Sequence, residues 1–235
     1  MITSVKITPF PKKELCASNF AFTLHYKVLS MENQQYIDQL KDIRELMDRS
    51  SRFLSLSGLS GILAGVYALI GAFWAHFLLR DGAYEHVRIN GSVFLTLVGI
   101  AGGVLSLSVI TAVILSQRKA AKMGESIWNK SSRRLLINFA IPLATGGIFG
   151  ILLLRHQHYG LIAAVTLIFY GLALVNASKY TYETLRSLGL AFIVLGMFSE
   201  VFPGYGLYFW AAGFGVLHIL YGIFMYLKFD RKQPA

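Results

Sequence analysis

The sequence predicts an all-α protein, a polytopic membrane bundle of six transmembrane helices with an amphipathic helix on the cytoplasmic side before the first span. Apolar residues make up 55% of the 235 residues and charged residues only 14%, whereas charged residues account for about 25% of a typical soluble domain. The charges also fall between long uncharged stretches, and roughly 20 helical residues suffice to cross the hydrocarbon core of a bilayer. We therefore expect the lipid bilayer to be the solvent of this chain.

The net charge of +10 does not indicate a nucleic-acid-binding protein. A DNA-binding domain presents its basic residues on a soluble fold, and the apolar stretches of this chain cannot be exposed to water. No nucleic acid is expected as a partner. Cys16 is the single cysteine, so an internal disulfide framework is excluded.

Six stretches are long enough to span a bilayer. They cover residues 53–79, 89–117, 135–154, 156–178, 185–202 and 201–227. Five contain no Asp, Glu, Lys or Arg, and the stretch at 185–202 holds Arg186 and Glu200 near its two ends, where charged side chains can reach the interface. Residues 53–228 are thus predicted to form the transmembrane domain, followed by a cytoplasmic tail at 229–235.

The distribution of Lys and Arg between the spans predicts the orientation. With six spans, fifteen of these residues fall on one side, and three fall on the other: Arg80, Arg88 and Arg155. Short cytoplasmic loops retain basic residues, so the rich side is predicted to be the cytoplasm, with both termini on it. The fifteen are Lys41, Arg44, Arg49, Arg52, Arg118, Lys119, Lys122, Lys130, Arg133, Arg134, Lys179, Arg186, Lys228, Arg231 and Lys232.

Residues 1–30 differ from the rest of the chain. They lack helical periodicity, and they contain two helix breakers, Pro9 and Pro11. A new pattern begins at Met31. We expect residues 1–30 to form an extension without fixed structure, and Met31 is an alternative natural start of the chain.

Residues 31–52 are predicted to form the cytoplasmic amphipathic helix. The apolar residues Tyr36, Leu40, Ile43 and Met47 recur at intervals of 4, 3 and 4 residues, which is the spacing of a helical seam. Two interpretations are open. The helix lies against the bundle or the lipid headgroups, or it serves as a short dimerisation or partner-docking helix.

Glycine pairs spaced four residues apart indicate close helix packing in three of the predicted spans. Small residues at this spacing allow two helix backbones to approach each other within a membrane. Packing within the chain is the preferred interpretation, and an oligomer interface is the alternative. The pairs are Gly61 with Gly65, Gly99 with Gly103, and Gly146 with Gly150.

Three residues define a candidate polar site inside the membrane. Pro142 in the third span removes a backbone donor and frees a carbonyl, with Asn138 one turn earlier on the same face. His218 is the one histidine well inside a span, and ionisable groups in hydrocarbon are functional candidates. In a transporter the three residues would share a cavity. Otherwise His218 is a hydrogen-bonded histidine between helices and Pro142 only kinks its helix.

Histidines on the predicted outer side are candidates for a metal site. His76, His156 and His158 fall near that side together with Glu200, and imidazole and carboxylate groups suit zinc or copper. The loops are short, however, and histidine is tolerated at membrane interfaces. We therefore expect no bound cofactor.

A serine in the first span and a histidine in the last span resemble the catalytic dyad of the rhomboid proteases, which cleave peptides inside the membrane. The resemblance rests on Gly58-Leu59-Ser60-Gly61 together with His218, and it implies a serine nucleophile with a histidine partner. In rhomboids the serine lies in the fourth span and a His-xxx-Asn pair accompanies it. Here the serine lies in the first span without such a pair, so helix packing is preferred and no catalytic centre is expected.

The stretch from Met31 to Lys232 resembles a family of bacterial six-span inner-membrane proteins without an assigned activity. In these proteins a short charged helix leads into a first span with the sequence Ser-Arg-Phe-Leu-Ser-Leu-Ser-Gly, as in Ser51 to Gly58 here. The resemblance implies a multi-pass protein of the bacterial inner membrane. It implies no activity.

Motifs of phosphate-binding loops, dinucleotide-binding folds and zinc proteases are absent from the sequence. We therefore expect a non-catalytic interaction or regulatory protein that acts through helix packing and a basic cytoplasmic face. Its expected partners are the lipid bilayer and either a second copy or another membrane protein. The alternative is a transporter or channel for a small or lipophilic solute.

Overall fold

The computed structural model describes residues 57–79, 91–122, 124 and 128–231. Within these ranges six helices are long and apolar enough to cross a membrane. They are α1 (Gly58–Leu79), α2 (Ser92–Lys122), α3 (Lys130–Arg155), α4 (Tyr159–Tyr180), α5 (Thr184–Val201) and α6 (Gly206–Asp230). The predicted fold class is confirmed: the protein is an all-α, multi-pass membrane bundle. The predicted extension at 1–30 and the amphipathic helix at 31–52 lie outside the described residues.

Local hydrogen bonds, rather than hydropathy, set the start of α3. The third span was predicted to begin at Leu135, but the helix begins at Lys130. The Asn129 side chain accepts a hydrogen bond from the Ser132 backbone N–H at 2.7 Å, and the Ser132 hydroxyl accepts one from the Asn129 N–H at 3.1 Å. This capping box satisfies two free N–H groups, so the helix extends into its basic flank.

A Schellman motif ends α3 and separates it from α4. The His158 N–H donates to the Leu153 carbonyl at 2.9 Å, and the Gln157 N–H donates to the Leu154 carbonyl at 3.1 Å. Gln157 has a φ of 62°, in the left-handed region that this motif requires. Residues 156–158, which were predicted to begin the fourth span, therefore form a turn, and α4 begins at Tyr159.

A tight turn separates α5 from α6, whose predicted spans overlapped. Val201 ends α5 and Gly206 begins α6. Between them, the Tyr205 N–H donates to the Phe202 carbonyl at 3.3 Å, and Gly204 has a φ of 88°, as the third position of a type II turn requires. Hydropathy alone let the two predicted spans overlap because aromatic residues flank this turn, whereas Pro203-Gly204-Tyr205-Gly206 marks the last connection in the sequence.

Each helix has a small set of neighbours. α1 lies between α2 and α6, and α4 lies between α3 and α5. α6 also contacts α4 and α5 and so joins the two groups. α2 and α3 are therefore peripheral, and only Ser116 and Ala120 are buried along the whole of α2.

The two ends of the bundle differ in charge. Asp230, the last residue of α6, accepts a hydrogen bond from the backbone N–H of Gly58, the first residue of α1, at 2.9 Å. The first and last spans therefore begin and end at the same side, as an even number of spans requires. Every described Lys and Arg except Arg155 lies at this end, which we call the basic end, and Arg155 lies at the opposite end.

Two pairs of glycines bring helix backbones into direct contact. A Cβ added to Gly171 of α4 would lie 2.6 Å from the Gly189 carbonyl oxygen of α5, and one added to Gly189 would lie 2.7 Å from the Gly171 carbonyl oxygen. At the α1–α6 crossing, a Cβ on Gly58 would lie 2.7 Å from the Gly222 carbonyl oxygen. Real Cβ atoms do not approach backbone this closely, so these crossings require glycine.

A hydrophobic core forms where α4, α5 and α6 meet. Leu167 of α4 and Phe192 of α5 are fully buried, with 0% of their surface exposed. Gly213 of α6 fits against both, because a Cβ there would lie 2.5 Å from the Leu167 side chain and 3.1 Å from the Phe192 ring. The middle of these three helices is therefore filled by side chains.

α6 is not a regular α-helix. It is π-helical over Ala211–Leu217 and again over Tyr226–Asp230, with α-helical segments at Gly206–Trp210 and His218–Met225. Its first π-helical segment lies directly before His218. Such segments are rare and often occur at functional sites, which directs attention to the surroundings of that histidine.

We expect Gly189→Val to lower the free energy of unfolding by about 2–3 kcal/mol, because the added side chain would force α4 and α5 apart. Gly147 of α3 is the matched control, since a Cβ there meets nothing within 4 Å. Gly147→Val should change the stability by less than about 0.5 kcal/mol. Loss of helical circular dichroism with increasing SDS in mixed micelles measures both. Equal destabilisation by the two variants would contradict the assigned α4–α5 crossing.

Candidate functional site

Two hydrogen-bonded pairs of polar side chains lie within the described transmembrane helices at positions that the sequence analysis treated as one site. One pair joins Tyr170 of α4 to His218 of α6. The other joins Asn138 of α3 to Asn176 of α4. His218 and Asn138 were predicted to face a common cavity in a transporter, but the structure gives each of them a different partner.

The Tyr170–His218 pair lies at the middle of the bundle. His218 is the midpoint of α6, about 18 Å from either end of that helix. Its Nε2 lies 2.8 Å from the Tyr170 hydroxyl oxygen, and its Nδ1 lies 3.4 Å from the Gly213 carbonyl oxygen. Because a carbonyl only accepts hydrogen bonds, we assign the proton to Nδ1, and the Tyr170 hydroxyl donates to Nε2. Both ring nitrogens therefore have partners within the chain.

Aromatic rings enclose this pair. The ring centroids of Phe192 and Phe214 lie 5.3 and 6.0 Å from that of His218. The same two rings contact Tyr170, at 5.0 and 4.9 Å. These contacts support the interpretation of His218 as a hydrogen-bonded histidine between helices, since they leave its ring packed against side chains of this chain.

Pro142 frees the carbonyl of Asn138, and Asn176 of α4 binds that carbonyl. A proline nitrogen carries no hydrogen, so the carbonyl four residues earlier loses its helical donor. The Asn176 Nδ2 donates to the Asn138 backbone carbonyl at 2.9 Å. The Asn138 side-chain amide in turn donates to the Arg134 carbonyl at 2.8 Å. This site is therefore a junction between α3 and α4 in which a side-chain amide replaces a missing backbone bond.

Asn138 and His218 belong to separate sites. Their partners, Asn176 and Tyr170, are six residues apart on α4, which corresponds to about 9 Å along the helix axis. Sequence reasoning missed Asn176. The signal that could have found it is an uncharged amide near the end of an otherwise apolar span, next to a span that contains a proline.

The serine and histidine of the rhomboid resemblance do not form a dyad. Ser60 donates its hydroxyl hydrogen to the Ser57 carbonyl at 2.6 Å, and the Nε2 of His218 is bonded to Tyr170. Ser60 is buried on the small-residue side of α1. The local geometry is that of helix packing, which was the preferred interpretation.

Three of the six predicted packing glycines contact neighbouring helices. A Cβ on Gly61 would lie 3.3 Å from the α6 backbone, and one on Gly65 would lie 2.6 Å from the Gly215 carbonyl oxygen of α6. Gly146 of α3 lies against the Phe169 side chain of α4. Close packing of α1 with α6, and of α3 with α4, depends on these positions.

The other three predicted packing glycines are open. A Cβ on Gly99, Gly103 or Gly150 would meet nothing within 4 Å. Packing within the described chain therefore does not account for them, contrary to the preferred interpretation. α2 packs mainly against α1, and α3 packs mainly against α4, so much of each of these two helices has no neighbouring helix within the described chain.

The four candidate metal ligands do not come together. His158 and Glu200 line one cleft at the opposite end, but His156 is the C-cap residue of α3. The ring centroid of His76 lies 5.7 Å from that of Tyr208. Among the residues that the structure describes, no three His, Cys, Asp or Glu side chains are placed to hold a metal ion.

The cleft at the opposite end has a volume of about 340 Å³ and lies between the α3–α4 turn and the α5–α6 turn. We call it the end cleft. Its polar side chains come from Gln157, His158, Tyr159, Ser199 and Glu200. The hydroxyl oxygens of Tyr159 and Ser199 are buried and have no hydrogen-bond partner among the described residues.

A salt bridge connects the helices at the basic end. The Lys119 Nζ of α2 lies 2.7 Å from one Asp230 carboxylate oxygen, and the two side chains are only 10% and 13% exposed. The other Asp230 oxygen accepts the Gly58 N–H, where its charge also complements the positive end of the α1 dipole. Lys119 donates to the Tyr182 hydroxyl at 3.5 Å as well. Sequence reasoning assigned Lys119 to the basic face and did not single out Asp230.

Comparison with protein families, with curated proteins and with solved structures finds no match to this chain. The resemblance to bacterial six-span proteins therefore stays a prediction. The geometry of the two intramembrane pairs, the open glycines, the end cleft and the basic end is the basis for assigning a function.

We expect Asn176→Leu to lower the free energy of unfolding by about 1–2 kcal/mol, because the Asn138 carbonyl would be left in hydrocarbon without a donor. Pro142→Ala supplies a backbone N–H to the same carbonyl. The loss caused by Asn176→Leu should therefore be much smaller in a Pro142→Ala background. The unmodified protein, the two single variants and the double variant form a double-mutant cycle, which is measured by unfolding in mixed micelles. Strictly additive effects would show that Asn176 does not replace the missing helical bond.

We expect Asp230→Asn and Lys119→Met each to lower the free energy of unfolding by about 1–3 kcal/mol, since each leaves a partly buried charge without its partner. The double variant should lose clearly less than the sum. Lys122→Met, a change at an exposed lysine of the same helix, is the control and should have little effect. Losses of the same size from Lys122→Met and Lys119→Met would refute a specific role of the salt bridge.

Proposed function

We propose that this protein is a non-catalytic, multi-pass protein of the bacterial inner membrane that acts by associating with another membrane protein, namely a second copy of itself. In this proposal the basic end and both termini face the cytoplasm, because short cytoplasmic loops retain Lys and Arg. Association occurs within the membrane through α2.

One side of α2 carries the proposal. The helix contacts α1 through Ile100 and Val104, whose side chains meet the Gly71 position. Successive residues of a helix are rotated by about 100°, so the numbering places Gly102, Ser106 and Gly99 on the side away from Ile100 and Val104, with Gly103 at the edge of that side. We call these four exposed residues the α2 glycine face.

The α2 glycine face contrasts with the use of glycine in α1, α5 and α6, whereas α3 also carries open glycines at Gly147 and Gly150. Every described glycine of α1, α5 and α6 would place a Cβ within 4 Å of a neighbouring helix, but the three glycines of α2 would not. Glycine inside a helix costs about 1 kcal/mol relative to alanine, and close packing offsets this cost in α1, α5 and α6. A second copy that presents the same face would offset the cost of glycine in α2 by close packing, because small residues spaced four apart favour close helix pairs.

A second copy is the partner that this surface fits best. Two identical glycine faces are self-complementary about a twofold axis, which is the commonest symmetry of homo-oligomers. The salt bridge between Lys119 and Asp230 holds the basic end of α2 against the bundle. The rest of the helix is thereby presented to the lipid in a defined direction.

The basic end provides the cytoplasmic face of the proposed protein. Exposed basic side chains from five helices and from Arg231, directly after α6, lie there, and Glu183 and Asp230 are the only described carboxylates at this end. Such an excess of positive charge also attracts the anionic lipids of the cytoplasmic leaflet. The basic residues that are exposed are Arg118, Lys122, Lys130, Arg133, Arg134, Lys179, Arg186, Lys228 and Arg231.

The alternative of a transporter or channel receives less support from the geometry. Asn138 and His218, which were expected to share its path, are bonded to different partners. The middle of α4, α5 and α6 is occupied by packed side chains, with Leu167 and Phe192 fully buried. The separate polar pairs and the packed side chains do not form a route for a solute between these helices.

We expect Gly103→Leu to weaken self-association by about tenfold or more, because a leucine would hold the two α2 backbones apart. Ala140→Leu is the control, since Ala140 is also small and exposed but lies on α3. Energy transfer between donor- and acceptor-labelled protein in liposomes, measured at decreasing protein-to-lipid ratios, gives the association constant. A wild-type protein that stays monomeric at all ratios, or an equal loss in both variants, would refute the proposal.

A further inference from the structure

The end cleft is separate from the α2 glycine face and is formed by a different part of the fold. The Schellman turn at the end of α3 forms one wall, and the end of α5 with the Pro203–Gly204 turn forms the other. These turns are held together because α4 and α5 cross in direct backbone contact at Gly171 and Gly189. The cleft therefore lies at one end of a closely packed helix pair.

A buried hydroxyl group in the end cleft has no partner. Ser199 is only 4% exposed, and its Oγ makes no hydrogen bond to any residue that the structure describes. The Tyr159 hydroxyl oxygen in the same lining is buried and equally without a described partner. Buried polar groups are nearly always hydrogen-bonded in native proteins, so two such groups on residues that line one cleft are candidates for hydrogen bonding to a polar ligand.

The charge of the cleft identifies the sign of that ligand. Among the described residues that line the cleft, Glu200 is the one carboxylate, and none is Lys or Arg. Glu200 is also exposed, so its carboxylate is accessible from the aqueous side. A positively charged group would neutralise it, whereas an anion would be repelled.

We propose that the end cleft binds a primary ammonium group, supplied either by the ethanolamine headgroup of a membrane lipid or by a small amine in solution. An ammonium group carries three N–H donors and no acceptor. The residues that line the cleft carry three acceptors for them: the exposed Glu200 carboxylate and the buried hydroxyl oxygens of Ser199 and Tyr159, which would meet the ligand after rotation of their side chains. A trimethylammonium group has no N–H, so it would gain the charge interaction but none of the hydrogen bonds.

The size and position of the cleft agree with this ligand class. Its volume of about 340 Å³ lies at the lower end of the range for small-molecule sites, which suits a headgroup or a small amine. The cleft lies at the end of the spans, at the level where lipid headgroups meet the bundle. The chemistry is the same for both sources, so the experiment must distinguish between them.

The test uses the full chain in nanodiscs of phosphatidylcholine. In one arm, the protein is first placed in discs doped with phosphatidylethanolamine and is then transferred to discs of pure phosphatidylcholine. The phosphatidylethanolamine that stays bound to the protein is measured by mass spectrometry. In the other arm, free ethanolamine is titrated into phosphatidylcholine discs by calorimetry, with choline as the methylated comparison. Retention in the first arm identifies a lipid headgroup, and binding in the second arm alone identifies a soluble amine.

Glu200→Gln should weaken binding of the active probe by about tenfold or more, since it removes the carboxylate that the ammonium group would neutralise. Ser199→Ala should weaken it by a smaller factor, and Glu200→Asp should retain most of it. Glu183→Gln and Ser187→Ala are matched controls, because both residues are exposed and lie at the other end of the same helix. Neither control should change binding.

Several outcomes would overturn the proposal: no binding in either arm, equal affinity for choline and ethanolamine, or the same loss in Glu200→Gln and Glu183→Gln. Circular dichroism of every variant verifies that it is folded. The Gly103→Leu variant, in which the end cleft is intact, should bind the probe like the unmodified protein. Failure of self-association and failure of ammonium binding can therefore be distinguished.

Discussion

In hydrocarbon every backbone N–H and carbonyl group must find its partner within the protein, and the structure of this bundle depends on that requirement. Where a helix cannot supply the partner itself, a side chain from another helix does. Asn176 donates to the Asn138 carbonyl that Pro142 leaves free, and the Asp230 carboxylate accepts the first N–H of α1 at Gly58. Both bonds link residues that are far apart in the chain. The same requirement that completes single helices therefore also joins them.

Close backbone approach at glycine provides the remaining cohesion. Lipid tails are as apolar as leucine, so helices in a membrane associate through packing rather than through the hydrophobic effect. Gly171 with Gly189, and Gly58 with Gly222, place backbone directly against backbone. Gly99, Gly102 and Gly103 of α2, like Gly147 and Gly150 of α3, make no such contact, and the glycines of α2 are those through which self-association is proposed.

The described polar chemistry is divided between the middle of the bundle and its ends. At the middle, Tyr170 and His218 satisfy each other among aromatic rings. At the ends, charges and hydroxyl groups reach the interface, with the Lys119–Asp230 pair at one end and the end cleft with Ser199 and Glu200 at the other. A packed middle and accessible ends suit a protein that binds other molecules at its surface, as both proposals state.

The sequence by itself determined the fold class, the number of spans and the unequal charge of the two ends, because these follow from hydropathy and from the positions of Lys and Arg. It also located Pro142 and the carbonyl that it frees. Only the tertiary structure decided that Asn176 binds this carbonyl, that Gly99 and Gly103 are open while Gly61 and Gly65 are packed, and that Ser199 lines a cleft. The physical reason is that periodicity and composition describe one helix at a time. Partners for its groups depend on which helices become neighbours and on how closely their backbones approach.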